Sequence, residues 1–433
     1  MIILGDDMVR VIRNGIVISM DLKREKQYEI MDVVIEDDKI IFVGSNYDGD
    51  YDDEIDASGK IVMPGLINCH THLGMSVFRA TNDDYTLDNW LKDKIWPIED
   101  KMTDEDIYYT TMLSLIEMIK TGTTCFNDMY FGWKGSVPAI LESGIRGVYG
   151  RCLMGNMDDS SMERISDFKE MYEKHKDNSL LKFSIAPHAL YTCNYEYLKL
   201  CNDLASEYEL PIHIHLSENM NEVDIVTNTF NMKPMEVLDK VGMLDKRVIL
   251  GHGTFISDSE IELIKNKDVY ISTNPVSNLN LGCGIADLVK YRDSGLNVCL
   301  GTDGQGSGNN MNLFYHMSVL DYLQKGKYQD PCVMSSYEVL KMATINGAKA
   351  LGYDDLGSLE VSKKADIIIL DISDICLCPS FDIIPFVVHN CFYDCVDTTI
   401  VNGNILMRNK ELKIGVDENT IKRKVNSIKE RLL

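Results

Sequence analysis

Basic residues are scarce in this chain. Its 433 residues include 43 Lys and Arg against 67 Asp and Glu, which gives a formal net charge of −24 at pH 7. A protein with this balance repels phosphate backbones, so we do not expect nucleic acid as a partner. The acidic residues are dispersed along the sequence and form no acidic interaction tail.

Long apolar runs are missing too. No stretch approaches the roughly 18 apolar residues needed to cross a bilayer, so no membrane association is expected. Met1–Asp7 has neither the basic start nor the long apolar core of a signal peptide. The twelve cysteines follow no regular disulfide framework, which is typical of a reducing compartment. We therefore expect a cytoplasmic protein. We further expect a homo-oligomer.

Four of the cysteines lie close together in the sequence, namely Cys376, Cys378, Cys391 and Cys395. Their C-x-C and C-x3-C spacings are poor for a zinc knuckle. A second, structural metal site remains open here, but the favoured interpretation is a set of buried, reduced thiols.

Short apolar runs of strand length lie near both ends of the chain, at Met8–Ile18, Val33–Val43, Ala365–Leu370 and Thr398–Leu406. The polar break Glu36–Lys39 between two apolar runs predicts a hairpin. These flanks predict one small discontinuous β-sandwich domain, formed by residues 1–63 and 359–433. Residues 64–358 form the central body between them.

The central body alternates apolar strand runs with longer helical segments. We count eight such runs, at about residues 61–70 and at Thr123–Phe126, Gly147–Gly150, Phe183–Ala186, Ile212–His215, Val248–Gly251, Val269–Ser272 and Val298–Gly301. Residues 107–119 and 222–241 have apolar residues at helical spacing. Eight βα units predict an α/β fold of the TIM-type (β/α)8 barrel class, whose active site lies at the carboxyl ends of the strands.

Residues of metal-ligand type stand at these strand ends. His70 and His72 follow the first apolar run, and side chains at i and i+2 share one face of an extended strand. His252 and Asp303 end two later runs. Imidazole and carboxylate groups bind divalent metals, so the pattern predicts a hydrolytic metal centre.

His213 and His215 also share a face, and only their depth separates them. Because a barrel site opens at the carboxyl end of the strands, we expect His215 to reach the metal and His213 to lie one layer deeper. Glu218 falls on the loop over the pocket, where a carboxyl is well placed for proton transfer. His252 remains open as a ligand or as a hydrogen-bonding partner of bound water.

Three motifs resemble the amidohydrolase superfamily, and the resemblance covers nearly the whole chain. They are Pro64–His72, His213–Glu218 and Gly301–Gly304. The resemblance to its mononuclear deaminases implies one divalent ion, with zinc expected and Fe²⁺ or Mn²⁺ as alternatives. The implied ligands are His70, His72, His215 and Asp303. It also implies that His252 contacts the bound water.

Dinuclear relatives bridge two metals with a carboxylated lysine at the end of a middle strand. Here the corresponding ends carry Arg151 and His188, and Lys182 lies at the wrong end of its strand. One metal is therefore expected.

Within the superfamily the chain is most similar to the 5'-methylthioadenosine/S-adenosylhomocysteine deaminases. The similar segments are Trp90–Glu99, Asn127–Tyr130, Pro187–Tyr191, Asn274–Gly282 and Gly301–Gly304. The resemblance implies hydrolytic deamination of an adenosine-type nucleoside, with Glu218, His252 and Asp303 as catalytic residues.

The same resemblance assigns substrate contacts. Glu99 would bind the ribose hydroxyls and His188 would contact the nucleoside. Arg151 and Arg164 would meet the carboxylate of a homocysteinyl tail. Trp90 is the fifth expected substrate contact. It begins the Trp-rich segment Trp90–Glu99, which is typical of a substrate lid.

Two departures from the family pattern lie near the expected pocket. Gly251–Phe255 lacks a Cys-Val pair that many relatives have after this histidine, and Gln305–Gly308 replaces a more usual Ala-Ser stretch. They leave the preferred 5'-substituent open.

Three alternatives remain. A guanine or cytosine deaminase, or a triazine hydrolase, would share the ligands but not the Trp90–Glu99 segment. A peptidic or cyclic-amide hydrolase would more often have the bridging lysine. A non-catalytic scaffold of the same fold would be expected to have lost ligands.

Overall fold

The structure is a computed structural model that describes residues 8–392 and 394–432. The prediction about a signal peptide concerns Met1–Asp7 and lies outside these residues. Within the described ranges, no helix combines the length and the apolar character needed to cross a membrane.

The N-terminal part of the chain forms five strands, β1 (Val9–Val17), β2 (Glu29–Glu36), β3 (Lys39–Gly44), β4 (Asp53–Asp56) and β5 (Ile61–Pro64). The predicted hairpin joins β2 to β3, which pair antiparallel with Glu36 opposite Lys39. Asp37 takes the left-handed conformation in its turn, with φ of 51°. Asp tolerates that conformation better than most residues.

The central part forms the barrel strands β6 (Leu66–Thr71), β7 (Thr123–Tyr130), β8 (Arg146–Leu153), β9 (Leu181–Phe183), β10 (Ala186–Pro187), β11 (Ile212–Leu216), β12 (Val248–His252), β13 (Val269–Thr273) and β14 (Asn297–Leu300). β9 and β10 are two pieces of the fourth barrel strand, since both pair with β8. Every neighbouring pair is parallel. Eight parallel barrel strands are thus confirmed, the first of them with bounds other than those predicted.

Two parallel sheets make up the barrel, β6 to β10 and β11 to β14. Parallel bridges from Ile185 to Ile212 and from Ala189 to His215 join them on one side. On the other side the Asp303 amide donates to the His70 carbonyl at 3.0 Å. The predicted TIM-type barrel is confirmed.

Four strands follow the barrel, β15 (Ile367–Leu370), β16 (Val396–Val401), β17 (Asn404–Arg408) and β18 (Glu411–Leu412). They join the N-terminal strands in one nine-stranded sheet of order β18-β17-β16-β15-β5-β1-β2-β3, with β4 beside β1. Residues of both halves, such as Val33, Val62 and Ile369, share an apolar core separate from the barrel core. A terminal β domain built from both ends is confirmed. Its predicted boundaries, after residues 63 and 358, stay a prediction.

The first barrel run was predicted as one strand over residues 61–70, and this was wrong. The chain changes sheets at Gly65, so Ile61–Pro64 pairs in the terminal sheet and Leu66–Thr71 in the barrel. Pro64 has no amide hydrogen to continue a ladder. A Cβ at Gly65 would lie 2.0 Å from Thr124 Oγ1, so only glycine fits at this crossing.

The helices are α1 (Leu87–Trp90), α2 (Trp96–Glu99), α3 (Asp104–Lys120), α4 (Trp133–Ser143), α5 (Asp159–His175), α6 (Tyr195–Glu207), α7 (Met220–Phe230), α8 (Pro234–Val241), α9 (Asp258–Ile264), α10 (Pro275–Asn280), α11 (Leu288–Asp293), α12 (Gln305–Gly308), α13 (Leu313–Tyr328), α14 (Ser336–Met342), α15 (Ile345–Ala350), α16 (Ile383–Asn390) and α17 (Glu418–Leu432). The helix predicted at 107–119 is part of α3. The one predicted at 222–241 is two helices, because Asn231 takes a left-handed conformation and Pro234 begins α8.

Candidate metal centre and active site

Five predicted side chains meet at the carboxyl ends of the barrel strands. His70 lies in β6 and His72 directly after it, while His215 and His252 lie in β11 and β12. Asp303 follows β14. Four of these residues are buried and His72 is nearly so. The structure therefore brings together every candidate ligand that the strand ends predicted.

The facing atoms of this cluster are close to one another. His72 Nε2 lies 3.1 Å from His215 Nε2 and 3.1 Å from Asp303 Oδ1. His70 Nε2 lies 3.5 Å from the same carboxylate oxygen. A tetrahedral ion with bonds of roughly 2.0–2.1 Å holds its donors about 3.3 Å apart. These separations fit one shared divalent ion.

Hydrogen bonds on the far side of two rings determine which nitrogen faces the centre. His72 Nδ1 lies 2.7 Å from the Met129 carbonyl oxygen, and His215 Nδ1 lies 2.7 Å from the His188 carbonyl oxygen. A carbonyl oxygen can only accept, so Nδ1 carries a proton in both rings. In the neutral rings the Nε2 lone pairs then face each other, as in metal-binding histidines.

His70 is held from below by His213, one layer deeper in the barrel. His70 Nδ1 lies 2.7 Å from His213 Nε2. Burial lowers the pKa of His70 to about 4, so its ring is neutral. Its Nε2 is buried and has no hydrogen-bond partner among the described residues. A buried nitrogen left this way costs about 1–3 kcal/mol unless a ligand uses its lone pair.

Asp303 turns one oxygen to the histidines and the other to two hydroxyls. Its Oδ2 accepts from Ser277 Oγ at 2.6 Å and from Ser307 Oγ at 2.8 Å. Burial raises the pKa of Asp303, but the neighbouring rings of His70 and His72 outweigh burial and hold the pKa well below its ordinary value. The carboxylate is therefore ionised, as a metal ligand must be.

The pocket favours positive charge beside that carboxylate. Burial lowers the pKa of His72, yet the hydrogen bond and charge of Asp303 outweigh it and raise the pKa to about 9. A divalent cation held by the same atoms supplies that charge and leaves the ring neutral. The donor set thus fits a divalent metal on both distance and charge.

Glu218 lies on the turn after β11 and faces His252. Glu218 Oε1 is 3.8 Å from His252 Nε2 and 3.6 Å from Cys283 Sγ. On its far side the His252 ring has Nδ1 2.8 Å from Asn278 Oδ1, and His252 Nε2 is 3.9 Å from Asp303 Oδ2. Burial raises the pKa of Glu218 above its ordinary value, so this carboxyl holds a proton more readily than an exposed one.

A cavity opens above this cluster. Much of its wall is apolar, including Leu87, Leu91, Ile95, Trp96, Met129 and Phe131. Among the described residues that line the cavity there is no Lys or Arg. A largely apolar cavity with a few convergent polar groups is typical of a small-molecule site.

The predicted lid segment covers the cavity as α1, a π-helical turn over Leu91–Ile95, and α2. Trp90, Glu99 and His188 all line the cavity. Glu99 accepts a hydrogen bond from the Tyr130 hydroxyl at 2.9 Å, and burial raises its pKa to about 8. Three of the five predicted substrate contacts therefore lie at the cavity.

The other two, Arg151 and Arg164, are not among the lining residues. Arg151 Nη2 lies 3.2 Å from Asp167 Oδ2 on α5, and Arg164 Nη1 lies 3.2 Å from the Met154 carbonyl oxygen. Side chains alternate along a strand, and the neighbour Cys152 is the one that faces the cavity. A direct tail contact for these arginines stays a prediction.

Sequence reasoning assigned no role to the residues that support the centre. Ser277 and Asn278 lie in the segment Asn274–Gly282, which carried part of the family resemblance, and they contact Asp303 and His252. Ser307 lies in the departing stretch Gln305–Gly308. Their positions in those segments were the available signal. Cys283 gave none.

The cysteine cluster differs from its predicted state in part. Cys391 and Cys395 are buried, but Cys376 and Cys378 are exposed, because they lie on the exposed turn before α16. All four thiols are free. Among the described residues, the groups of three or more ligand side chains that could hold an ion are the two at the barrel centre.

The amidohydrolase family profile matches residues 61–406. The chain belongs to the amidohydrolase family. It is 40% identical to a 5-methylthioadenosine/S-adenosylhomocysteine deaminase of Acetivibrio thermocellus, over 88% of each chain. It is 39% identical to a 5'-deoxyadenosine deaminase of Methanocaldococcus jannaschii, over 93% of this chain and 96% of the relative. The family predicted from the motifs is confirmed.

Solved structures agree with this amidohydrolase fold. A zinc-bound adenosine deaminase from Xanthomonas campestris aligns with a TM-score of 0.93 at 27% identity, covering 98% of both chains. A guanine deaminase from C. acetobutylicum with bound guanine aligns with a TM-score of 0.84 at 26% identity, covering 92% of this chain and 99% of that one.

Proposed function

We propose that this amidohydrolase is a metal-dependent deaminase that hydrolyses the exocyclic amino group of adenosine-type nucleosides and releases ammonia. The observation that carries the proposal is one cavity lined by members of the His and Asp donor set together with Glu218 and Glu99. The names of the relatives support the substrate class, since those in Acetivibrio and Methanocaldococcus both name adenosine derivatives modified at the 5' position.

We propose one zinc ion, with Fe²⁺ or Mn²⁺ as alternatives, held by His70, His72, His215 and Asp303. A bound divalent ion lowers the pKa of a water ligand from about 15.7 to about 7, which makes hydroxide available at neutral pH. The zinc in the Xanthomonas structure supports this choice.

The chain's own residues move the protons. Asp303 is ionised and can accept the proton of the attacking water. Glu218, whose pKa burial raises, can donate its proton to the ring nitrogen next to the aminated carbon, which makes that carbon more electrophilic. His252 lies within 4 Å of both carboxylates and can hold the water by a hydrogen bond. Once the water oxygen has added to that carbon, the proton taken up by Asp303 can pass to the amino group, which leaves as ammonia, while the hydroxyl proton of the tetrahedral intermediate can return to Glu218.

The cavity wall suits the rest of a nucleoside. Glu99 can accept hydrogen bonds from the ribose hydroxyls, and His188 can contact the nucleoside. Trp90 and the apolar lid residues exclude water and pack against the substrate. S-Adenosylhomocysteine, 5'-methylthioadenosine, 5'-deoxyadenosine and adenosine are the candidate substrates. A cytoplasmic location and a homo-oligomer remain our proposals from the sequence.

Metal analysis and an ammonia-release screen test this function. We expect one equivalent of divalent metal per chain, and ammonia from the four candidate nucleosides but little from guanine, cytosine or aminated triazines. Chelation should abolish turnover, and zinc should restore it. Two equivalents of functional metal, full activity after metal removal, or turnover confined to guanine would contradict the proposal.

The paired substitution of His70 and His72 by Ala is the matched variant. It should lose metal and activity while far-UV circular dichroism still reports a folded barrel. The half-buried His175 on α5, far in sequence from the barrel-centre ligands, provides the control, because His175→Ala should keep both metal and activity.

A further inference from the structure

The turn that carries Glu218 is held in a strained conformation. β11 ends at Leu216, and Ser217 then takes the left-handed conformation with φ of 53°. For a residue other than glycine this conformation is uncommon and costs about 1–3 kcal/mol unless surrounding contacts determine it. The turn reverses the chain between β11 and α7, so its conformation sets the position of Glu218.

The buried side chain of Glu222, at the start of α7, accepts hydrogen bonds from the Ser217–Glu218 turn. One carboxylate oxygen accepts from the Ser217 amide at 2.9 Å, and the other accepts from the Glu218 amide at 2.7 Å. The residue is only 3% exposed, so water does not compete for these bonds. Buried amides require such partners, and one carboxylate satisfies two of them.

Backbone hydrogen bonds hold the Ser217 carbonyl group of the turn. The Thr254 and Phe255 amides donate to the Ser217 carbonyl at 3.0 and 3.1 Å. These bonds hold the carbonyl of Ser217 but leave both amides of the turn to Glu222. The side chain of Glu218 extends from there to contacts of 3.6–3.8 Å with Cys283 and His252.

We propose that Glu222 is a positioning residue that clamps the Ser217–Glu218 turn and thereby places the Glu218 carboxyl beside the substrate. The inference rests on the role proposed above for Glu218. A displacement of about 1 Å at a catalytic group can cost on the order of 100-fold in rate. A loosened turn should therefore reduce turnover more than substrate affinity.

The variant Glu222→Gln tests the clamp, because an amide keeps one acceptor and turns an NH2 group toward the second backbone amide. Glu260 offers a matched control. It is also 3% exposed, and it accepts from the Met235 and Ser257 amides at 3.1 and 2.9 Å in the first turn of α9. Both variants should retain metal and lose similar thermal stability.

Turnover separates the two variants. For Glu222→Gln we expect kcat to fall about 10–100-fold with little change in KM. Glu260→Gln should stay near the wild-type kcat. The double variant of Glu218→Gln and Glu222→Gln should be no slower than Glu218→Gln alone. Equal kcat in the two single variants, or losses that multiply in the double variant, would overturn the inference.

Amide hydrogen exchange gives a readout that needs no activity. Glu222→Gln should speed exchange at the Ser217 and Glu218 amides, whereas Glu260→Gln should not. Unchanged exchange there rejects the clamp whether or not the protein is a deaminase. If wild-type protein released no ammonia from any nucleoside while exchange changed as expected, the proposed function would fail and the clamp would still hold the turn.

Discussion

At the scale of single residues, a hydrogen bond to one nitrogen of an imidazole ring determines whether the other nitrogen can bind a metal ion. His72 and His215 each donate a hydrogen bond from Nδ1–H to a carbonyl oxygen, so the Nε2 lone pair of each ring is free to bind a metal ion. Asp303 is oriented similarly: two serine hydroxyls donate to Oδ2, while Oδ1 accepts from the Gly304 amide at 2.8 Å and faces the histidines. The ligands are oriented before any ion binds, which reduces the entropy cost of binding.

Glu218→Gln is the prediction that belongs to this scale. The amide cannot relay a proton, and general acid–base catalysis contributes about 10²–10⁴-fold, so kcat should fall by that factor while metal content stays unchanged. Steady-state kinetics and metal analysis measure the two effects. Glu236→Gln, at an exposed position on α8, should leave turnover as it is. A loss below about tenfold would mean that another group transfers the proton.

At the scale of elements, helix α5 contains Arg164, the residue predicted to bind the homocysteinyl tail of the substrate. Arg164 Nη1 lies 2.9 Å from Ser160 Oγ, one turn earlier on α5, and 3.2 Å from the carbonyl oxygen of Met154, a residue that lines the cavity. The guanidinium is therefore close to the wall of the cavity without forming it. A movement of this one side chain could bring it to a substrate tail.

Arg164→Ala tests that possibility by comparing two nucleosides. If Arg164 binds the carboxylate of S-adenosylhomocysteine, the lost charge-assisted bond is worth about 1.5–3 kcal/mol, or roughly 10–150-fold in kcat/KM. Turnover of 5'-methylthioadenosine, which has no carboxylate, should fall much less.

The control for Arg164 is Lys169→Ala, which removes the same charge at an exposed site on α5. Equal losses on both nucleosides would assign Arg164 to the fold or the ribose. No loss on either would leave Arg151 as the remaining candidate for the tail.

At the scale of the whole molecule, a buried ion pair joins the barrel to the terminal sheet. Arg146 at the start of β8 binds Asp366 through two bonds of 2.9 and 3.1 Å, and both side chains are at most 4% exposed. The Asp366 carbonyl also accepts from the Gly65 amide, at the point where the chain changes sheets. This contact fixes the terminal sheet against the amino ends of the barrel strands, opposite the metal centre.

Asp366→Asn should therefore act on stability. Removing one partner of a buried pair leaves an uncompensated charge and costs about 3–5 kcal/mol in the free energy of unfolding. Urea unfolding of the metal-loaded protein measures it. Glu29→Gln, which breaks an exposed pair of 2.8 Å with Lys26, should change the free energy of unfolding far less, because water screens an exposed pair. Similar losses in the two variants would show that the buried pair does not hold the domains together.

Much of the centre could be predicted because barrel topology leaves little choice. Parallel strands of a closed barrel end on one face, so His70, His215, His252 and Asp303 had to meet once the strands were recognised. Arg151 could not be placed by the same reasoning, because a sequence motif does not predict on which face of β8 its side chain lies. Cys152 faces the cavity instead.

By itself, the sequence determined the barrel, the terminal β domain and the set of candidate metal ligands, because periodicity and strand order are local properties of the chain. Tertiary structure alone decided the sheet change at Gly65, the two hydroxyls on Asp303 and the clamp of Glu222 on the Glu218 turn. The sheet change and the Ser277 bond join segments that are distant in the sequence. The Ser307 and Glu222 contacts span only four residues, but they require turn conformations that the packed strands impose. No repeat or spacing in the sequence encodes such contacts, since they arise only when the packed strands fix where each loop begins and ends.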